Sequence, residues 1–158
     1  MPTIRTLTED DIEYWSGDRP DKGYLYPLHD VGLSVAPVIL RISWAEEALA
    51  NGHDVNRLHS AMGRPLHTAI ENPQHMDCRT GAVLDHYESL DLVRWLLERG
   101  ADPRLRDTRG KSAMDRAWCL ARYRKEQRDP LAGFWDQARA MMVRAARKLE
   151  GWVLLDAA

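Results

Sequence analysis

The densest group of reactive side chains in this chain of 158 residues lies between residues 72 and 88. Its members are His75, Asp77, Cys78, Asp85, His86, Tyr87 and Glu88. A nucleophilic cysteine–histidine pair needs the two side chains within hydrogen-bonding distance and a thiol whose pKa is lowered. The sequence indicates neither condition. His75, Asp85 and His86 are therefore catalytic candidates only in an alternative interpretation.

The same residues lack the spacing of a common metal site. His75 and Cys78 are separated by two residues, and His86 follows the cysteine by eight, whereas common zinc modules use two paired ligand motifs. We therefore predict no metal site and no cofactor. Because long loops inside compact domains are often functional, we expect a surface loop that contacts either a ligand or only solvent.

A second group of candidates is basic and lies in a turn-rich stretch. It comprises Arg104, Arg106, Arg109 and Lys111, with Arg116 on the next predicted helix. Such side chains bind an acidic protein surface by electrostatic complementarity, although a solvated charged loop has the same composition. The net charge of −2 and the lack of aromatic residues between these basic ones argue against nucleic acid. We predict a protein partner with an acidic surface.

The composition is typical of a soluble domain. The chain is 44% hydrophobic and 29% charged, which is enough to form one core. Acidic residues at positions 9–13 occupy the place where a secretion signal needs a basic start, and residues 35–42 are too short for a membrane span of roughly 20 residues. We expect a cytoplasmic protein without membrane contact, in which Cys78 and Cys119 are free thiols.

Charge is distributed unevenly along the chain. Residues 1–93 hold 7 basic and 15 acidic side chains, whereas residues 94–150 hold 15 basic and 8 acidic ones. This asymmetry bears on association more than on fold. It is compatible with self-association of an acidic half and a basic half, so a structural subunit or homo-oligomer remains an alternative.

A repeated pattern indicates the elements that must position these residues. Gly52 precedes Pro65 by 13 positions, Gly100 precedes Ala113 by 13, and the two glycines are 48 positions apart. A third piece begins at Pro27, 38 positions before Pro65. Repetition with a fixed internal spacing predicts stacked units that share one core.

The second copy of the pattern predicts its own helices. Apolar residues at helical spacing, followed by Gly100, predict a helix over about residues 89–99. Ser112 and Asp115 then have the spacing of a capping box, which would open another helix through Trp118 and Leu120.

Two segments of this copy carry a family resemblance. Residues 96–102, Leu-Leu-Glu-Arg-Gly-Ala-Asp, and residues 107–115, Asp-x-x-Gly-x-Ser-Ala-Met-Asp, resemble the ankyrin repeat. The resemblance covers about residues 26–125. It implies an all-α, short ankyrin-like stack of helix pairs, with about three degenerate repeats joined by turns or finger loops.

The resemblance also implies a division of the chain. Residues 26–128 would hold the repeats, residues 1–25 an irregular N-terminal cap or arm, and residues 129–158 a C-terminal capping helix and tail. Since the family's repeat has about 33 residues, the offsets of 48 and 38 leave insertions of about 15 and 5. The larger one covers about residues 72–88.

The apolar positions predict what the stack buries. A C-terminal helix would pack through a stripe made of Leu131, Phe134, Ala138, Met141, Ala145, Leu149 and Trp152. Large aromatic rings at helical positions are more often core than ligand platform. On this basis we predict burial of Trp44, Trp95, Trp118 and Trp135.

His29 and His67 occupy positions where ankyrin-type histidines usually bond the threonine that opens their motif. Tyr26 and Arg64 stand there instead, so the rings are either free for acid–base or metal chemistry or bonded to the backbone. Equivalent positions in packed helices lie about 8–10 Å apart, whereas zinc ligands lie about 2 Å from one ion. We therefore favour backbone bonds.

The resemblance implies binding through finger tips and the concave face of the first helices. We therefore predict a non-catalytic protein–protein interaction module, in which Arg57 and His59 lie beside the later basic residues. The alternative is a small enzyme with a cleft under the 72–88 insertion. Its catalytic candidates would be His29, His67, His75, Asp85 and His86.

Overall fold

The computed structural model describes residues 7–21, 23–71 and 89–151. Seven α-helices make up most of these residues, and no strand occurs among them beyond two isolated β-bridges. The helices are α1 (Glu9–Trp15), α2 (Pro27–Leu33), α3 (Val38–Ala50), α4 (Pro65–Ala69), α5 (Leu90–Glu98), α6 (Ala113–Glu126) and α7 (Ala132–Leu149), with a 3₁₀ turn at Ser16–Asp18. The all-α prediction is confirmed for the described residues.

The helices pack in two rows. α2 contacts α4 and α4 contacts α6, while in the other row α3 contacts α5 and α5 contacts α7. Across the rows, α2 packs on α3, α4 on α5 and α6 on α7. Gly32 permits the close approach of α2 to α4, because a Cβ atom there would lie 2.5 Å from the Thr68 hydroxyl oxygen and 2.7 Å from the Ala69 amide nitrogen.

Two local predictions for the second copy are confirmed. The helix predicted over residues 89–99 is observed as Leu90–Glu98. At the start of α6, the Asp115 amide donates to Ser112 Oγ and the Ser112 amide donates to the Asp115 carboxylate, both at 3.1 Å. This capping box satisfies backbone groups that a helix N-terminus leaves unpaired.

The N-terminal segment, which the sequence predicts to be irregular, contains α1. Thr8 and Asp11 form a capping box there, and acidic residues in the first turn favour a helix N-terminus. Trp15 at the end of α1 is buried. Arg19 then forms an ion pair of 2.6 Å with Glu47, so this segment lies against α3.

The core prediction holds for Trp44, Trp95 and Trp135, which are buried, and is wrong for Trp118. Trp118 is 46% exposed. The physical reason is that α6 packs through small side chains. It buries a stripe of alanines: Ala113, Ala117 and Ala121.

The predicted apolar stripe of α7 is also partly wrong. The helix buries Ala132, Phe134, Trp135, Ala138, Met142 and Ala146, whereas Met141 and Ala145 are half-buried and Leu149 is 54% exposed. The Trp135 indole N–H donates to the Ile70 carbonyl at 2.8 Å. This bond fixes which face of α7 is turned toward the core. Trp152 lies outside the described residues.

Candidate functional site: two joined finger loops

Two loops project between the helix pairs, and we name them finger 1 (residues 51–64) and finger 2 (residues 99–112). Each leaves its helix through a glycine with positive φ, 91° at Gly52 and 97° at Gly100, a conformation that glycine adopts without steric cost. The next amide, of His53 or Ala101, bonds back to a carbonyl of the preceding helix at 3.1 or 2.9 Å. The two exits are therefore equivalent.

An aspartate then turns each finger in the same way. Asp54 Oδ1 accepts the Asn56 amide at 2.8 Å, and Asp102 Oδ1 accepts the Arg104 amide at 3.0 Å. Aspartate favours such turns because its short side chain reaches the amide two residues on. The 48-residue offset in the sequence thus corresponds to repeated hydrogen bonds.

The finger tips differ in the side chain that closes the turn. In finger 2, the Asp107 amide donates to the Lys111 carbonyl at 2.8 Å, and Asp107 Oδ1 accepts two amides of the turn, each at 2.9 Å. His59 lies 48 positions earlier in finger 1. Its amide donates to the Gly63 carbonyl at 2.7 Å, and its Nδ1 accepts two amides at 2.9 and 3.0 Å.

Asn56 joins the two fingers directly. Its side-chain Nδ2 donates to the Gly100 carbonyl at 3.0 Å, and its Oδ1 accepts the Asp102 amide at 2.7 Å. One amide group thereby satisfies a donor and an acceptor of the neighbouring finger. The start of finger 2 is held in register with the middle of finger 1.

Arg64, which the sequence analysis does not select, is a second link. Its Nε donates to the Arg106 carbonyl at 3.0 Å and its Nη1 to the Asn56 carbonyl at 2.8 Å. Near the tips, the Thr108 hydroxyl donates to the Ser60 carbonyl at 2.7 Å. The fingers are therefore connected along their length, and a long-range contact of this kind has no signal in local spacing.

The two motif histidines bond to finger backbones. His29 Nε2 lies 2.9 Å from the Gly63 carbonyl oxygen, and His67 Nε2 lies 2.9 Å from that of Lys111. A carbonyl only accepts, so both rings donate from Nε2. His67 Nδ1 also accepts the Arg64 amide at 3.1 Å. The favoured interpretation, histidines bonded to the backbone, is confirmed.

The environment of His29 favours its neutral form. The ring is 1% exposed, and desolvation by burial lowers its pKa below the ordinary value, although the bond to the Gly63 carbonyl opposes this shift. Asp30, the next residue, has a raised pKa because it too is partly buried. His29 is therefore a neutral hydrogen-bond donor near pH 7.

These contacts give the catalytic alternative no support at His29 and His67. Both rings are buried and bonded to the backbone. The other catalytic candidates and the predicted cleft fall within residues 72–88, outside the described residues, as does Cys78. Cys119 is exposed on α6 and forms no disulfide within the described part of the chain.

Two of the predicted partner-binding arginines already have acidic neighbours. The Arg104 guanidinium donates to both carboxylate oxygens of Asp102, at 3.0 and 2.9 Å, and lies 3.8 Å from Glu150. This hydrogen bonding lowers the pKa of Asp102. Arg116 lies 3.6 Å from Glu71. Their charges are partly compensated within the molecule.

The other basic side chains predicted to bind a partner differ in this respect. No carboxylate of the described residues lies within 4.0 Å of the charged groups of Arg57, Arg106, Arg109 or Lys111, and all four residues are exposed. Arg106 Nη1 donates to the Gly110 carbonyl at 3.2 Å. Four of the predicted partner-binding cations thus lie on the two joined loops without an ion-pair partner among the described residues.

A cluster of side chains beside finger 1 was not predicted from the sequence. The Arg57 guanidinium lies 4.3 Å from the centre of the Tyr26 ring, and the His59 ring meets the same ring edge-on at 4.5 Å. Three large side chains at neighbouring positions of the chain are exposed: Tyr24, Leu25 and Leu58, by 43%, 69% and 41%. The run Tyr-Leu-Tyr directly before Pro27 was the available signal.

Within residues 7–21, 23–71 and 89–151, no three histidine, cysteine or acidic side chains lie close enough to share a metal ion. No helix in these segments has the length and hydropathy needed to cross a membrane. No family model matches the chain, and no curated protein or solved structure matches it.

Proposed function

We propose that the protein is a short ankyrin-like repeat stack that binds an acidic protein partner through its fingers, without catalysis. Three helix pairs in two rows and finger bonds that recur at an offset of 48 support the repeat assignment. The repeats would occupy residues 26–128, with caps formed by residues 1–25 and 129–158.

Finger cations that form no ion pair with the described residues carry the proposal. Arg57, Arg106, Arg109 and Lys111 lie on backbone that hydrogen bonds hold in place. Prior ordering of a binding loop reduces the entropy lost on association. A complementary acidic surface would therefore be steered toward a face that is already formed.

Helix α6, which follows finger 2, carries a further feature that is common at protein interfaces. On α6, the Arg122 guanidinium lies 4.9 Å from the centre of the exposed Trp118 ring. Tryptophan and arginine are enriched at protein interfaces. A partner that docks on the fingers and extends along the row formed by α2, α4 and α6 would contact this pair.

Affinity capture with three forms of the full chain tests the proposal. Arg106→Glu with Arg109→Glu reverses two finger charges, and Arg139→Glu with Arg144→Glu makes the same charge change on exposed positions of α7. A protein captured by the wild type and the α7 variant, but lost by the finger variant, supports the proposal. Equal capture by all three forms contradicts it.

The charge distribution favours a second candidate, a homo-oligomer. The first turn of α1 carries Glu9, Asp10 and Asp11, whereas the last turn of α7 carries Arg147 and Lys148. Light scattering at low and high salt separates the candidates, because an assembly held by these charges should dissociate as salt rises. A monomer at low salt would contradict the second candidate.

A further inference from the structure

We propose that the cluster beside finger 1 is a docking surface for an apolar or aromatic side chain of the acidic partner. This inference rests on the proposed function and adds to it the amino-acid composition of the partner segment that would bind. The partner segment would be acidic, with at least one aromatic or large aliphatic residue among its acids.

The arrangement of Tyr26 and Arg57 supplies the first argument. Arg57 covers the Tyr26 ring at 4.3 Å and donates to the Leu25 carbonyl at 2.8 Å. Its guanidinium is thereby held at the backbone of Leu25, whose side chain is exposed. An acidic residue that pairs with Arg57 would bring its neighbours in the partner onto that apolar surface.

The exposure of the apolar side chains supplies the second argument. Leu25 is 69% exposed and Leu58 41%, and each adjoins Tyr26 or Arg57 in the chain. Tyrosine and arginine are enriched at interfaces, where an anchor residue is surrounded by contacts that exclude water. Poly-acidic sequence alone would leave this surface in water.

Two acidic polymers test the inference by fluorescence anisotropy at low salt. The probes are poly-L-glutamate and a random copolymer of glutamate and tyrosine of equal length. We expect the copolymer to bind the wild type about tenfold more tightly, which corresponds to about 1.4 kcal/mol, a typical contribution of a buried aromatic anchor.

Serine substitutions identify the residues that cause the preference for the copolymer. In Leu25→Ser with Leu58→Ser, the two polymers should bind equally well, while poly-L-glutamate keeps its wild-type affinity. The control, Leu33→Ser with Ile39→Ser, changes residues that are 38% and 43% exposed elsewhere and should keep the tenfold preference. Equal binding of both polymers to the wild type overturns this inference alone, whereas failure of both to bind at low salt contradicts the proposed function.

A separate observation carries a second inference. We infer that His59 makes the tip of finger 1 sensitive to acid, whereas the tip of finger 2 is not. His59 Nδ1 accepts the amides of Ala61 and Met62 at 2.9 and 3.0 Å. A proton on Nδ1 removes this acceptor, and the two amides lose their partner.

Finger 2 contains the matching arrangement without this sensitivity. Asp107 Oδ1 accepts the amides of Arg109 and Lys111, each at 2.9 Å, and a carboxylate remains an acceptor at pH values where histidine takes up a proton. The two turns therefore differ in the side chain that accepts their amides, which is an imidazole in finger 1 and a carboxylate in finger 2.

The charged and titratable neighbours of His59 are Tyr26, His29, Asp30 and Arg57. Its ring lies 4.5 Å from that of Tyr26 and 6.2 Å from that of His29, and the Arg57 guanidinium lies over the same Tyr26 ring. Burial lowers the pKa of His29 and raises that of Asp30, and the charge of a protonated His59 acts to lower both. The buried His29 ring is therefore neutral near pH 7.

A proton–nitrogen NMR titration from about pH 8 to about pH 5 tests this, over the range in which histidine titrates. The amide protons of Ala61 and Met62 should shift upfield together as His59 is protonated, while those of Arg109 and Lys111 stay in place. His59→Asn retains a side-chain acceptor that does not titrate and should abolish the shift. Unchanged Ala61 and Met62 signals in the wild type, or the same shift in His59→Asn, would overturn the inference.

Discussion

Removal of the Asn56 side chain should weaken the connection between the two fingers. Asn56→Ala deletes the donor to the Gly100 carbonyl at 3.0 Å and the acceptor of the Asp102 amide at 2.7 Å. At about 1 kcal/mol for each bond, plus a cost where a partner stays shielded from water, the free energy of unfolding should fall by about 2–3 kcal/mol. For a chain of this size the melting temperature should fall by about 4–12 °C.

Thermal unfolding followed by circular dichroism measures this change, and amide exchange locates it. The Asp102 amide should exchange faster in Asn56→Ala than in the wild type, because it has lost its acceptor. Lys111→Ala is the control, since that side chain is exposed and its loss should change stability by less than about 0.5 kcal/mol. A variant that melts with the wild type and protects Asp102 equally well would refute the reasoning.

Three further predictions concern the core and pH. Gly32→Ala should lower the free energy of unfolding by about 1–3 kcal/mol because its Cβ would overlap backbone atoms of α4; Gly17→Ala, with no atom within 4 Å of the new Cβ, should be nearly neutral in urea unfolding. Trp135→Phe should cost about 1–3 kcal/mol because a buried carbonyl loses its donor, whereas the exposed Trp118→Phe should cost less than about 0.5 kcal/mol; equal costs would contradict the assignment. The pKa of His29 is lowered by burial, so the unfolded chain binds the proton first and stability should fall as pH decreases below 6.5. His29→Gln keeps an N–H donor that does not titrate, and urea unfolding at about pH 7.5 and about pH 5.5 should show a smaller loss than in the wild type.

The parts of the fold that follow from local chemistry were predictable from the sequence. Helix α5 ends at a glycine with positive φ, and Ser112 with Asp115 opens α6. Both signals depend on residues fewer than five positions apart. The backbone bonds of His29 and His67 were also favoured, because packed helices hold their rings too far apart for a shared ion.

Features that depend on distant contacts were not predictable. The position of Arg64 between Asn56 and Arg106 requires finger 2 to lie against finger 1. The buried face of α7 is set by a bond between Trp135 and a carbonyl 65 positions earlier. Helical periodicity alone cannot distinguish the faces that such contacts select.

The same difference between local signals and distant contacts applies to the pairing of charges and the burial of apolar side chains. Spacing identified Arg104 as a partner-binding candidate, but its pairing with Asp102 depends on side-chain geometry. Trp118 has the periodicity of a core residue, yet the alanine stripe of α6 packs closely enough to leave it exposed. The structure distinguishes which of the predicted partner-binding cations have an acidic neighbour and which have none among the described residues.

The salt dependence of poly-L-glutamate binding tests the central claim most directly. The wild type and the α7 variant, Arg139→Glu with Arg144→Glu, should bind at low salt and weaken steeply as salt increases. Arg106→Glu with Arg109→Glu should bind at least about tenfold more weakly at low salt, with a shallower salt dependence and an unchanged melting temperature. Equal affinity and an equal salt dependence in the finger variant and the wild type would contradict binding through the fingers.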